Sequence, residues 1–110
     1  MRTKTYTFLS TIPTLNEYID AERSHRMKAA KMKLNCEENL VWEMRAQKVV
    51  DMGDCVNLRY CWLRKDRRTD KSNIMWGQKL VEDAMQIAGV IPNDGWNNIN
   101  EIDHLFETGG

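Results

Sequence analysis

Two aspartates in this sequence stand where they could do chemistry. Asp70 lies in Arg67-Arg68-Thr69-Asp70-Lys71-Ser72-Asn73, and Asp94 lies in Gly89-Val90-Ile91-Pro92-Asn93-Asp94-Gly95-Trp96. Carboxylates are the hard oxygen ligands that Mg²⁺ or Mn²⁺ takes, and the Lys65, Arg67, Arg68 and Lys71 cations around Asp70 are what a nucleic-acid phosphate needs. Together they point to metal-assisted cleavage of a phosphodiester, in which the ion activates water and offsets charge growing on the phosphate. Each aspartate also has an ordinary use, Asp70 between a strand and a helix and Asp94 in an Asn-Asp-Gly turn.

Lys79 precedes Asp83 by four residues, so the two can pair along a helix surface. Beside a metal, Lys79 could instead stabilise charge on the transition state or the leaving oxygen. Asp83 is about 16 Å along a straight helix from Ser72 at ~1.5 Å per residue, too far to share an ion with Asp70 without a bend. A second group of cations, Arg23, Arg26, Lys28, Lys31 and Lys33, suits contact with a phosphate backbone without base reading. Trp62, Trp76 and Trp96 read as core or interface residues, with Trp76, one turn from Lys79, the best placed for base stacking.

The elements that must position these residues follow from periodicity. Residues 4–10 alternate about Tyr6 and Phe8, as a half-buried strand does. Thr14 and Glu17 have the spacing of a capping box, so a helix begins near residue 15. Proline and glycine are absent from there to about Val49, which predicts one long helix, or two with a bend near Ser24. Residues 55–64 alternate cleanly, with Val56, Leu58, Tyr60 and Trp62 on one side, and deliver Asp70 to a sheet end. Ser72 or Asn73 caps a helix through Ala88, stopped by Gly89. Residues 97–106 fit either a short strand or a helical turn, with Ile99, Ile102, Leu105 and Phe106 closer to helical spacing.

At 110 residues the chain reads as one domain, 1–110, with no repeat or linker. Its net charge is zero but segregated: residues 1–71 hold 15 basic and 10 acidic side chains, and residues 72–110 hold one and six. Cys36, Cys55 and Cys61 form no CxxC pair, and His25 and His104 lie apart, so neither a disulfide framework nor a zinc site is indicated and a reducing cytoplasm fits. No run approaches the ~20 apolar residues of a membrane span, and the N-terminus has no export signal.

Several segments in order resemble the RusA family of Holliday junction resolvases, especially the small phage and prophage versions of Gram-positive bacteria. They are Ile12-Pro13-Thr14-Leu15-Asn16-Glu17-Tyr18-Ile19 with Ala21-Glu22-Arg23, Ala30-Lys31-Met32-Lys33, Arg68 to Ile74, Lys79 to Asp83, and Ala88 to Trp96. The resemblance implies a Mg²⁺-dependent homodimeric endonuclease that nicks four-way DNA junctions symmetrically in recombination and repair, with the acids of an Asp-x-Asp-Asn motif and a later Asp in its site. Asp70 matches the first acid and Asp94 the later one. The second acid falls on Ser72, a neutral and weaker ligand, and the family's lysine corresponds to Lys79, one helical turn further on than usual. Family members continue into a final strand where this sequence reaches Thr108-Gly109-Gly110, so that strand is expected to be missing.

The expectation is thus an α+β fold, a small mixed sheet with helices packed on it in the order β-α(α)-β-α. The expected function is cleavage of branched DNA by a cytoplasmic homodimer. Asp70 and Asp94 would hold Mg²⁺ or Mn²⁺, with Ser72 and Asp83 as lesser ligands, Lys79 would assist, and Lys65, Arg67, Arg68, Lys71, Arg23, Lys28 and Lys31 would contact DNA. The alternatives are a junction-binding protein whose metal site Ser72 has weakened, and a small protein that binds a host factor through tryptophans and methionines.

Overall fold

The computed structural model describes residues 3–109. Met1 and Arg2, and Gly110 of the Gly109-Gly110 turn, lie outside them. The order is α1 (Leu15–Ser24), α2 (Arg26–Ala46), β1 (Val56–Arg64), α3 (Lys71–Met75), α4 (Gln78–Ile87) and β2 (Ile99–Thr108). The class is α+β, as the patterning implies.

The expected capping box opens α1: the Thr14 hydroxyl accepts from the Glu17 amide while the Glu17 carboxylate accepts from the Thr14 amide at 3.0 Å. The break near Ser24 is one extended residue, His25, at φ −167° and ψ 124°. It ends α1 by donating its amide to the Ala21 carbonyl, and its Nδ1 caps α2 by accepting from the Met27 amide. Leu40, Val41 and Met44 of α2 pack against Leu80, Val81, Ala84 and Met85 of α4, and Val90, Ile91 and Ile99 complete this buried core.

Three elements differ from the sequence expectation. Residues 4–10 form no strand; they run over α2, where Glu43 accepts from the Leu9 amide (2.7 Å), the Ser10 amide (3.0 Å) and the Ser10 hydroxyl, and the Gln47 side-chain amide donates to the Thr7 carbonyl. Tyr6 and Phe8 are half-buried as alternation requires, but side chains take the place of a ladder. The sheet is the parallel pair β1-β2 rather than a mixed sheet, and residues 97–106, which fit either a short strand or a helical turn by sequence, fall largely within the strand β2. A register shift between Val56 and Leu58 places Ile99 and Ile102, three residues apart, opposite inward positions two apart, which disguised β2's alternation as helical spacing. Finally, the helix expected over residues 72–88 is divided at Trp76-Gly77. Gly77 is buried, and a Cβ there would lie 2.5 Å from Ile12 Cγ2 and 3.3 Å from the Trp62 ring.

Candidate functional site

The site is built where the chain turns back after α4. Gly89, at φ 77°, donates to the Gln86 carbonyl, and Val90 donates to the Met85 carbonyl at 2.8 Å, the paired bonds of a Schellman stop. Val90 and Ile91 are then buried in the core, so the next turn returns beside α4. Asp94 comes to lie against Lys79, and Lys79 Nζ stands 2.5 Å from Asp94 Oδ2 and 3.0 Å from Asp83 Oδ1. The expected i,i+4 pair is therefore half of a three-residue cluster. Hydrogen bonds to Asp94 and Asp83 raise the Lys79 pKa, and the same ammonium holds the Asp94 carboxyl below its ordinary value. Glu37 of α2 faces the cluster; burial and the Asp83 charge push its pKa up.

Behind the cluster, Tyr60 of β1 donates its hydroxyl to Glu82 Oε2 at 2.8 Å. Glu82 is a buried carboxylate, 5% exposed. Burial, then the Glu82 and Asp94 charges, drive the Tyr60 pKa far up, so the phenol stays protonated. On the same sheet face Trp62 Nε1 donates to His104 Nδ1 at 2.9 Å, and His104 Nε2 meets Gln78 Oε1 at 2.8 Å. The Tyr60, Trp62 and His104 rings form a mutually adjacent, near-parallel trio with centroids 5.1 to 6.2 Å apart. None of Tyr60, Glu82, Gln78 or His104 was singled out from sequence. The one available signal was Glu82 itself, a carboxylate adjoining the apolar positions Val81, Ala84 and Met85.

The remaining expected residues are placed apart from this cluster. Asp70 is the N-cap of α3, exposed, with no side-chain capping bond; its carbonyl accepts from the Asn73 and Ile74 amides. Ser72 is exposed in the first turn of α3. Lys65 and Arg67 are exposed, Arg68 lies 3.7 Å from Asp66, and Lys71 stands over the Phe106 ring. Arg23, Lys28 and Lys31 are exposed on α1 and α2. Of the tryptophans, Trp62 is buried and Trp76 packs at a tilt of 31° against Tyr18, ring centroids 4.9 Å apart, whereas Trp96 is bare.

Among the described residues no group of three or more His, Cys, Asp or Glu side chains could hold a metal ion. What converges is a pair of carboxylates on one cation, and Mg²⁺ is commonly held by one or two carboxylates with waters and substrate phosphates completing its shell. Asp83 and Asp94 are the two carboxylates that come together, with the Lys79 ammonium bonded to both, and Asp70 is not part of the pair. No helix among the described residues is long and apolar enough to cross a membrane. Comparison with family models, curated proteins and solved structures finds no significant match for this chain.

Proposed function

We propose that this chain is an endonuclease of branched DNA, acting as a homodimer that nicks four-way junctions in recombination or repair. The observation that carries the reading is the convergence of Asp83 and Asp94 on Lys79, a pair of hard-oxygen donors with a cation already among them. Asp94 and Asp83 would hold Mg²⁺ or Mn²⁺, which when bound supplies Lewis-acid activation of water and charge neutralisation at the phosphate. Lys79, kept protonated by its two partners, would face a phosphate oxygen as charge builds there. The protonated Tyr60 donates to the buried Glu82, which adjoins Asp83 on α4. Lys65, Arg67, Arg68 and Lys71, with Arg23, Lys28 and Lys31, supply sequence-independent phosphate contacts. A two-fold dimer would match the two-fold symmetry of a junction.

A second reading, junction binding without cleavage, is favoured by the finding that no three of the described His, Cys, Asp or Glu side chains converge as metal ligands. Both are tested on a labelled synthetic four-way junction with Mg²⁺ and with Mn²⁺, comparing wild type, Asp94→Asn and, as a carboxylate outside the pair, Asp70→Asn. Symmetric nicks abolished in Asp94→Asn are expected of an endonuclease. Tight junction binding with no nicks at any Mg²⁺ or Mn²⁺ level supports the non-cleaving reading, and no salt-sensitive binding of any DNA sinks both.

A further inference from the structure

Trp96 is 98% exposed, the most exposed large apolar side chain described. Its backbone is nevertheless fixed. The Asn98 and Ile99 amides both donate to the Gly95 carbonyl, at 3.0 and 3.1 Å, the Asn98 side chain donates to the Asp54 carbonyl at 2.9 Å, and β2 begins immediately after. Two residues earlier Asp94 is tied to Lys79. A large flat ring is therefore held out into solvent, at a fixed place beside the reactive cluster, and it joins none of the ring stacks among the described residues.

The surroundings decide what such a ring can bind. A protein partner buries a tryptophan at the centre of a desolvated contact. Here Asn93, Asp94, Gly95, Asn97 and Asn98 leave Trp96 isolated among polar groups, with the Asp94 charge offset by Lys79. A nucleobase needs only one π face, and the exposed Asn93 and Asn97 amides can meet its edges. In a continuous duplex both faces of each base are covered, whereas a branch point interrupts the stack. Resting on the branched-DNA reading above, we infer that Trp96 stacks on a base exposed at the branch point and so distinguishes junctions from linear duplex.

The test measures equilibrium binding, with divalent ions chelated, of a four-way junction carrying 2-aminopurine at the branch and of a linear duplex of the same length. The proteins are wild type, Trp96→Ala, Trp96→Phe and Trp42→Ala, the last removing another well-exposed tryptophan, on α2. Trp96→Ala is expected to lose about ten-fold in junction affinity with duplex affinity unchanged, Trp96→Phe to keep most of it, and Trp42→Ala to match wild type. Wild-type binding should quench the 2-aminopurine and Trp96→Ala should not. If wild type binds the junction and Trp96→Ala binds and quenches equally well, the stacking role is overturned while the branched-DNA reading stands. If wild type binds neither DNA, both fall.

Discussion

At the scale of single residues, the site depends on charges that are individually ordinary and jointly constrained. Lys79 on an exposed helix face would contribute little as one half of a surface pair. Shared between Asp83 and Asp94, it prevents two carboxylates from facing each other unneutralised. Glu82 is more costly, because a buried carboxylate that loses a hydrogen-bond donor bears its desolvation without compensation. Tyr60→Phe should therefore lower stability by about 1–3 kcal/mol, measured by urea unfolding with an unchanged slope. Tyr60→Phe combined with Glu82→Leu should recover part of that loss, since neither partner is then left unpaired. A single variant as stable as wild type would show that Glu82 draws its hydrogen bonding from elsewhere.

At the scale of elements, the N-terminal segment shows how a strand pattern can be satisfied without a sheet. Its hold on α2 runs through Glu43: burial works to raise that carboxyl's pKa, but bonds from the Ser10 hydroxyl and the Leu9 and Ser10 amides outweigh it and leave the value lowered. A carboxyl lowered on folding contributes stability above its unfolded pKa, about 4.3, and loses it as pH falls through the folded value. The protection of the Leu9 and Ser10 amides, taken against intrinsic exchange at each pH, should therefore be present at neutral pH and lost below about pH 4, and Glu43→Gln should show reduced protection already at neutral pH. Protection that persists in Glu43→Gln would assign the hold to Gln47 and the packing of Phe8. The capping box, the Gly89 stop, the β1 alternation and the Lys79–Asp83 pair were all legible in the sequence because each is a local rule of spacing. The missing ladder at residues 4–10, the register shift in β2 and the break at Gly77 were not, because each is decided by a distant partner: Glu43, β1, and Ile12 with Trp62. For the same reason Asp94 was legible as a candidate, while its union with Asp83 depended on how the chain folds back after Gly89.

At the scale of the whole molecule, the segregated charge has a spatial counterpart. The phosphate-contacting candidates lie on α1, α2 and the segment after β1, while the converging carboxylates belong to α4 and the turn that follows. Every rung between β1 and β2 joins residues forty-three or forty-four positions apart, with α3 and α4 in the interval. The polypeptide must therefore close a long loop before the sheet returns any energy, whereas α1 and α2 form from near neighbours. In a folding experiment, truncating Ile99 should chiefly hasten unfolding, while truncating Leu40 should slow folding; the opposite partition would place the sheet in the nucleus. Asp94 lies inside that loop and only eleven positions from Asp83, so the fold-back after Gly89 can gather the two carboxylates on Lys79 before the sheet closes, and the pair would be in place ahead of the slowest step towards the native state.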